Sequence, residues 1–331
     1  MRLRQNLQWW KQHATPWIQS LVLHGVSAPW VEDPPLSIQC KTRPVSDIQL
    51  AECILQDYKS VGAVKEVSME GTEHLIPWFI ISKEEPTGMK HRLISDCREI
   101  NQFLETQRFA LDNIQNILPF LQKGQWAGKI DLKDAYFHLG VHPRLRPYLR
   151  MQVGERTWEF QAGCFGLNIM PQLFIQLMKT FQTKWRRNGI LVFVYLDDIL
   201  VLGTSKKVLE SHLGTVTQDL VSAGFKINLE KSVLQPCQEV IHLGFNLNLK
   251  EGCLQLSPSR LKTVRKELGK IVVAKKMSTR KMAAILGKVR SFLVALPFLR
   301  AFTDQLCKFV QQGALEGWNS VHPIPPFSKI N

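Results

Sequence analysis

The sequence lacks the features that would place a protein in a membrane or outside the cell. It has no uninterrupted apolar run of the roughly 18 residues that a membrane-spanning helix needs, and its first ten residues lack the apolar core of a signal peptide. Its seven cysteines are odd in number and include no Cys-x-x-Cys pair, which argues against a disulfide framework and against a zinc site. We therefore expect a soluble, intracellular protein with reduced thiols, and the composition does not distinguish cytoplasm from nucleus.

Acidic residues are scarce in the stretch where basic residues are most concentrated. The whole chain carries 42 Lys and Arg against 28 Asp and Glu, a net charge of +14. Between residues 257 and 300, twelve basic residues accompany a single acid, Glu267. A solvated helix face usually mixes charges of both signs, so this excess predicts contact with a nucleic-acid backbone.

The spacing of apolar residues and the positions of Pro and Gly predict the local structure. Residues 1–37 hold four of the nine tryptophans and end in Pro34 and Pro35, which indicates a small helical extension closed by a rigid linker. Two amphipathic helices are expected in the basic stretch, one beginning near Ser257 and one between Ser278 and Pro297. The other expected elements are a helix at 46–62, strands at 75–81 and 92–96 with a loop at 83–91 between them, a helix at 111–121 and a strand at 126–132.

A pair of aspartates separates two strongly apolar runs. Residues 190–196 are rich in β-branched and aromatic side chains and predict a buried strand, and residues 199–202 predict its antiparallel partner. Asp197 and Asp198 then lie at the tip of a hairpin. A buried carboxylate is costly unless its charge is compensated, and Mg²⁺ is a natural compensator because it prefers oxygen ligands. Taken alone, this pattern is better explained by an ordinary Asp-Asp turn that joins two strands than by a metal site.

A third aspartate stands at the end of another predicted strand. Residues 126–132 end in Asp131, and the following segment, with Tyr136 and Phe137, is expected to turn into a further strand. A lone aspartate at a strand end is commonly a helix cap or a turn former. The hairpin with Asp197 and Asp198 offers the partners that a metal site requires.

Together these segments resemble the reverse transcriptases of retroelements. Six blocks occur in the family's order, and coincidence is implausible for the whole set although each block alone would be weak evidence. The blocks are Arg92, Asp96, Arg98 and Asn101; Asp131 with Tyr136 and Phe137; Phe165, Gly166, Pro171 and Phe174; Tyr195, Leu196, Asp197 and Asp198; residues 224–232 with Lys231; and His242, Leu243, Gly244 and Phe245.

The resemblance implies an α+β fold, the right-hand polymerase with fingers, a palm whose antiparallel sheet packs on helices, and a helical thumb. The implied divisions are an N-terminal helical extension and linker at 1–37, fingers at 38–125, a palm at 126–255 with a fingers insertion near 140–162, a thumb at 256–313, and a tail or linker to a missing downstream domain at 314–331.

The resemblance also implies the reaction, which is RNA-directed DNA polymerase activity that extends a DNA primer on an RNA or DNA template. Two Mg²⁺ ions, or Mn²⁺, would act in nucleotidyl transfer. Asp131, Asp197 and Asp198 are the expected catalytic residues, and these three with the Leu132 carbonyl are the expected metal ligands. Asp131 and Asp197 would bridge the ions, with Asp198 in a supporting role.

Further roles follow from the same resemblance. Lys83 and Arg92 would neutralise the triphosphate, Tyr136 would exclude a ribose 2′-hydroxyl, and Lys231 would protonate pyrophosphate. The remaining expected contacts are Phe165 and Gly166 at the nucleotide, His242, Leu243 and Gly244 in the primer grip, and Lys262, Arg265, Lys266, Arg280, Lys281 and Lys288 on the backbone of the template and primer duplex. The expected partners are that duplex and dNTPs, together with a downstream RNase H domain of the same polyprotein and no membrane.

The flanking segments narrow the resemblance and leave alternatives open. Residues 2–18, 147–150 and 280–288 look most like retrotransposons of the DIRS type, which use a tyrosine recombinase, with an LTR retrotransposon or a pararetrovirus polymerase as the near alternative. Met170 and Gln172 depart from the family pattern, as does the pair Glu84 and Glu85. They favour a second hypothesis, in which the chain is a non-catalytic nucleic-acid-binding protein derived from a reverse transcriptase. An RNA-directed RNA polymerase is the third hypothesis.

Overall fold

The computed structural model of the chain describes residues 2–32, 34–35, 47–68, 74–85 and 88–324. The α-helices are α1 (Arg2–Gln5), α2 (Leu7–His13), α3 (Pro16–His24), α4 (Ile48–Ser60), α5 (Ile114–Ile117), α6 (Met170–Arg187), α7 (Lys206–Ser222), α8 (Pro258–Val273), α9 (Thr279–Arg290) and α10 (Leu299–Glu316). The strands are β1 (Val64–Val67), β2 (Trp78–Glu85), β3 (Gly88–Ser95), β4 (Trp126–Asp131), β5 (Arg150–Val153), β6 (Arg156–Phe160), β7 (Leu191–Tyr195), β8 (Asp198–Gly203), β9 (Val233–Cys237), β10 (Glu239–His242), β11 (Phe245–Asn248), β12 (Cys253–Leu256), β13 (Lys276–Ser278) and β14 (Val321–Pro323).

The strands of the described residues form small sheets rather than one large one. The sheet orders are β1-β6-β5, β10-β11-β12, β13-β14, β2-β3 and β7-β8-β4-β9. The pairings in the first four of these sheets are antiparallel. Antiparallel sheets combined with helices confirm the α+β prediction. No helix in the part of the chain that the structure describes is both long and apolar enough to cross a membrane.

The chain divides into two compact units. The first comprises Met1–Leu111, Lys129–Val201 and Glu210–Leu234, and the second comprises Asp112–Gly128, Leu202–Leu209 and Gln235–Asn331. These boundaries differ from the divisions implied for fingers, palm and thumb, which stay predictions. In the first unit β6 pairs with both β5 and β1.

The N-terminal helices are part of the core of the first unit. Trp10 on α2 is fully buried, and its indole N–H donates to the carbonyl oxygen of Ala223 at 3.0 Å. Trp9 stacks on Phe181 of α6 with ring centroids 4.6 Å apart. Gly224, whose φ is +99°, approaches this segment so closely that a Cβ would lie 2.7 Å from the carbonyl oxygen of Arg2. The tryptophan-rich extension is therefore packed against the residues that lead to the 224–232 block.

Truncating this indole is expected to destabilise the protein. Trp10→Ala removes a fully buried ring and its hydrogen bond, and we expect the free energy of unfolding to fall by about 3 kcal/mol. Urea denaturation would measure the change. Trp17→Ala is the matched control, because Trp17 is 54% exposed and its loss should cost less than about 0.5 kcal/mol. Equal losses in the two variants would contradict this account.

Three expectations about local structure are wrong. The loop expected at 83–91 is mostly strand, because β2 and β3 form a two-stranded ribbon in which Lys83 pairs with Lys90 and Glu85 with Gly88. A ribbon with solvent on its faces accepts charged residues, so hydrophobic periodicity does not detect it. The helix expected at 111–121 is only α5 followed by a short 3₁₀ turn, and the segment after Asp131 continues as a 3₁₀-helix, Ala135–His138, instead of a strand.

The second unit contains the basic helices. Ser257 and Ser278 cap α8 and α9 as expected, each side chain accepting a hydrogen bond from the backbone N–H three residues on. A further helix, α10, packs with them around a core formed by Ile271, Met277, Met282, Ile285, Leu286, Val289, Leu306 and Phe309. The sequence interpretation missed α10.

A short strand after α10 completes the second unit. β14 pairs with β13, so that Val321 lies opposite Ser278. Ser320 fixes this return of the chain, since its hydroxyl lies 3.0 Å from the Thr279 hydroxyl and 2.7 Å from His322 Nε2. Thr279 itself is fully buried. The segment expected to be a tail therefore begins inside the folded unit.

Candidate active site

The hairpin of β7 and β8 presents its two aspartates on a strained turn. Its strands are anchored by Val192, Phe193 and Val194 on one side and by residues 199–202 on the other, all buried. Leu196 adopts a left-handed backbone conformation with φ at 54°, which costs a non-glycine residue about 1 kcal/mol. Buried strands that hold such a turn in place fix the positions of Asp197 and Asp198.

The end of β4 is hydrogen-bonded to the tip of this hairpin. The backbone N–H of Leu132 donates to the carbonyl oxygen of Asp197 at 2.9 Å. On the other side, the Asp131 N–H donates to the Ser232 hydroxyl at 3.0 Å, and the Asn228 N–H donates to the Asp131 carbonyl oxygen at 2.8 Å. The structure thus brings Asp131 beside the hairpin although 66 residues separate it from Asp197 in the sequence.

The carboxylates influence one another electrostatically. Burial raises the pKa of Asp197 above its usual range, and the charges of Asp131 and Asp198 raise it further, while Arg92 lowers it. Burial likewise raises the pKa of Asp131, against a hydrogen bond from the Asn228 side chain that lowers it. A cation placed between these carboxylates would offset their mutual repulsion.

Two lysines lie close to these carboxylates. Lys129 on β4 places its Nζ 3.2 Å from Asp198 Oδ2, and each of the two side chains is 18% exposed. Lys129 and Lys231 both lower the pKa of Asp131 through their charge. The site therefore contains its own cations next to the acidic groups.

The donor set fits a hard divalent cation. Asp131, Asp197 and Asp198 offer carboxylate oxygens, which Mg²⁺ and Mn²⁺ prefer, and their mutual repulsion favours a cation between them. Among the residues that the structure describes, no three acidic, histidine or cysteine side chains stand close enough to enclose an ion as they are. The side chains of the three aspartates would have to turn toward a common point to do so.

An aromatic cluster adjoins the carboxylates. The Tyr136 ring lies 5.4 Å from that of Phe165 and 5.8 Å from that of Phe174. Burial raises the pKa of Tyr136 to about 12, and the charge of Asp197 adds to this effect, so the phenol stays protonated at neutral pH. Tyr136 is therefore close to Asp197 and packed against the block that contains Phe165.

The turn at Gly166 is held against the segment that follows β3. A Cβ at Gly166 would lie 2.0 Å from the carbonyl oxygen of Ser95, and φ at this residue is +115°. The Asn101 side chain donates to the Gly166 carbonyl oxygen at 2.9 Å and accepts from the Asn168 N–H at 3.0 Å. Asp96 and Arg98 pair through two bonds of 2.8 Å. Asn101 of this motif thus supports the Phe165–Gly166 turn.

The other residues predicted to bind the nucleotide lie in two kinds of position, near the carboxylates or on the exposed ribbon. Arg92 on β3 acts on the pKa of Asp197, and Lys231 acts on that of Asp131, so both lie near the carboxylates. Lys83 is exposed on β2, opposite Lys90.

The predicted primer grip lies in the second unit. His242 is buried at the end of β10, and Leu243 and Gly244 form a turn with φ values of 49° and 77°. The Arg260 guanidinium lies over the Phe245 ring at 4.4 Å, and a Cβ on Gly244 would lie 2.3 Å from Arg260 Nε. This turn is therefore packed against α8.

The predicted duplex-binding cations of the second unit are not equivalent. Lys262, Arg265 and Lys266 on α8 are exposed, as are Arg280 and Lys281 on α9. Lys288 is also exposed, but its Nζ pairs with Glu267 Oε1 at 3.1 Å, and Lys270 pairs with the same oxygen at 2.9 Å. The hydrogen bonds from Lys270 and Lys288 lower the pKa of Glu267. Lys288 is thus partly neutralised within the unit.

Sequence reasoning missed three residues of this site. Lys129 precedes Asp131 by two positions, and the alternation of side chains along a strand places both on one face. This spacing could have predicted that Lys129 lies beside Asp131. Asn228 and Ser232 lie inside a recognised block, but their bonds to Asp131 join residues about 100 positions apart and leave no local pattern.

Comparisons with known proteins identify relatives of this sequence. Similar sequences include the genome polyprotein of Petunia vein clearing virus (isolate Shepherd), 31% identical over 142 residues, which are 43% of this chain and 6% of that protein. Protein P of duck hepatitis B virus (strain United States/DHBV-16) is 24% identical over 69% of this chain and 27% of its own length. The Pol polyprotein from transposon 412 of Drosophila melanogaster is 27% identical over 50% of this chain and 14% of its own length. The chain thus spans a small part of these relatives.

Solved structures show the same fold. The foamy viral protease-reverse transcriptase in complex with double-stranded DNA superposes with a TM-score of 0.69 at 17% identity, over 89% of this chain and 48% of that one. The same viral protein in complex with an RNA/DNA hybrid superposes with a TM-score of 0.60 at 15% identity, over 92% of this chain and 37% of that one. The family model described as reverse transcriptase (RNA-dependent DNA polymerase) matches residues 81–247, which are half of the sequence. The chain therefore belongs to the reverse transcriptase family.

Proposed function

We propose that this chain is the polymerase part of a retroelement reverse transcriptase, an RNA-directed DNA polymerase that extends a DNA primer on an RNA or DNA template. The observation that carries the proposal is the 2.9 Å hydrogen bond that ties Leu132, next to Asp131, to Asp197. Within this class we propose a retrotransposon source of the DIRS type, with LTR retrotransposons and pararetroviruses as alternatives. Similarity to the Pol polyprotein from transposon 412 supports a transposon source, and similarity to the genome polyprotein of Petunia vein clearing virus supports a viral one.

The three aspartates are proposed to hold two Mg²⁺ or Mn²⁺ ions, with the Leu132 carbonyl as a further ligand. Such a pair supplies charge neutralisation for the attacking and leaving oxygens of an in-line phosphoryl transfer. The chain's own contribution would be to fix these ligands through the buried hairpin, the hydrogen bond from the Asp131 N–H to Ser232 and the hydrogen bond from the Asn228 N–H to Asp131. A fixed ligand set avoids reorganisation at the moment of reaction.

Basic and aromatic side chains are proposed to position the incoming nucleotide. Arg92 would donate to the phosphates, with Lys83 reaching them from the ribbon, and Lys231 would donate a proton to the leaving pyrophosphate. Phe165 and Gly166 would support the base pair.

The second unit is proposed to hold the duplex. His242, Leu243 and Gly244 would contact the primer strand, and the exposed lysines and arginines of α8 and α9 would contact phosphates without reading sequence. The foamy viral relative of similar fold is bound to double-stranded DNA in one structure and to an RNA/DNA hybrid in another, which supports this partner. A downstream RNase H domain is a further proposed partner, since the relatives are polyproteins.

Primer extension with matched dNTP and rNTP pools, an RNA template, a DNA primer and Mg²⁺ tests the proposal. We expect extension with dNTPs and strong rejection of rNTPs. Duplex binding without extension would favour the non-catalytic alternative, which is motivated by Met170, Gln172 and the pair Glu84 and Glu85. Preferential use of rNTPs would favour an RNA-directed RNA polymerase.

Tyr136→Ala is expected to relax the choice of sugar. Removing the ring opens space next to Asp197 for a 2′-hydroxyl, and we expect discrimination against rNTPs to fall by roughly a hundredfold. The ratio of kcat/KM values for dNTP and rNTP measures this. Tyr136→Phe keeps the ring and its packing on Phe165 and should retain the preference. Unchanged discrimination in Tyr136→Ala would exclude Tyr136 as the gate.

A further inference from the structure

Lys129 stands among the carboxylates without a role in the proposed reaction. It lies on β4, two residues before Asp131, and strand alternation places the two side chains on the same face. In the sheet, β4 is the neighbour of β8, which begins at Asp198. The Lys129 ammonium therefore reaches across to Asp198 from a rigid element, and the 3.2 Å separation is that of a charge-assisted hydrogen bond.

We propose that Lys129 is an internal counter-ion of the carboxylate set, which pairs with Asp198 in the metal-free protein and weakens the affinity of the site for divalent cations. The inference rests on the proposed function, because it takes the carboxylates as metal ligands. Lys129 is on this account a positioning residue.

The charges around the site support this role. Asp131, Asp197 and Asp198 repel one another, and the charge of Lys129 acts on Asp131 as well as pairing with Asp198. Lys129 thus partly compensates the charge of two of the three acidic groups. Both partners of the pair are largely shielded from water, so solvent screens their attraction less than it would at the surface.

A bound metal ion changes this balance. Mg²⁺ needs carboxylate oxygens at about 2.0 to 2.1 Å, so an oxygen cannot serve the ion and keep its bond to the ammonium unchanged. Even if Asp198 turns its other oxygen to the ion, the positive charge of Lys129 remains close and repels it. The pair therefore stabilises the metal-free protein and raises the cation concentration at which the site fills.

Direct metal binding to the full chain tests the inference. Mn²⁺ binding would be measured by electron paramagnetic resonance and calorimetry in the wild type, Lys129→Met, Lys129→Gln and Lys129→Arg. We expect the Kd for Mn²⁺ to fall roughly tenfold in the first two variants, which lose the charge, and to stay close to the wild-type value in Lys129→Arg. Without metal, Lys129→Met should have a lower Tm than the wild type, and Mn²⁺ should raise its Tm more.

The outcomes separate this inference from the proposed function. Wild-type binding that Asp197→Asn abolishes, combined with an unchanged or larger Kd in Lys129→Met and Lys129→Gln, would overturn the counter-ion role alone. If either Lys129→Met or Lys129→Gln does not fold, the Kd of the other variant decides whether the counter-ion role holds. If the wild type binds no Mn²⁺ that depends on Asp197, the proposed metal site fails, and the counter-ion role fails with it.

Discussion

Asp197→Asn is expected to lower primer extension by about a thousandfold or more. An amide is neutral and a weaker ligand for a hard cation than a carboxylate, so the variant loses both charge and a metal ligand. The substitution preserves shape, and the backbone bond between Leu132 and the Asp197 carbonyl oxygen does not involve the side chain. Single-turnover extension with saturating dNTP and Mg²⁺ would measure the chemical step.

The fold should survive this change. Burial and the neighbouring carboxylates raise the pKa of Asp197, which means that its charged form is less favourable in the folded state than in the unfolded chain. A neutral side chain is therefore expected to leave the Tm in the absence of metal unchanged or higher. Lost activity combined with a lower Tm would indicate a structural role instead.

Asp134→Asn is the matched control for that experiment. Asp134 is exposed, lies three residues after Asp131, and has a left-handed backbone conformation with φ at 50°, which Asn also tolerates. We expect extension within about twofold of the wild type. A loss similar to that of Asp197→Asn would show that charge in this region, and not ligation, accounts for the effect.

Gly166→Ala is expected to lower the free energy of unfolding by about 4 kcal/mol or more. The added Cβ would lie 2.0 Å from the Ser95 carbonyl oxygen, which belongs to the backbone and cannot move aside as a flexible side chain can. The backbone conformation adds strain, because φ at Gly166 is +115°. Relief would require separating the turn from the Asn101 side chain that bonds it. Urea denaturation would give the free energy.

A second glycine separates the two contributions. Gly189 also has a positive φ, at +74°, but a Cβ there would meet nothing within 4 Å. Gly189→Ala is thus expected to lower the free energy of unfolding only through backbone strain, by about 1 kcal/mol. If the two variants lose equal stability, the close approach of Gly166 to Ser95 contributes nothing and the packing argument fails.

The sequence predicted the parts of the fold whose signal is local. The apolar runs on either side of Asp197 and Asp198 are contiguous, so the hairpin of β7 and β8 could be inferred and is confirmed. The caps at Ser257 and Ser278 are also local signals, and α8 and α9 begin there. The two-stranded ribbon of β2 and β3 could not be inferred in full, because its outer half is charged on both faces.

The site was predictable to a smaller extent. The three aspartates were recognisable from their positions after apolar strands together with a family resemblance. Their supports are tertiary, since the bonds of Asp131 to Ser232 and Asn228 appear only once the chain has folded. The roles of the nucleotide-binding and duplex-binding residues stay predictions that the experiments above address.

The strand pair β13 and β14 has a practical consequence for work with shortened versions of the chain. The Thr279 N–H donates to the Ser320 carbonyl oxygen, and the Ile324 N–H donates to that of Lys275 at 3.1 Å. A recombinant fragment that stops at the end of α10 would therefore expose the buried Thr279 hydroxyl and leave β13 with an open edge prone to aggregation. Expression plasmids should retain residues through Ile324.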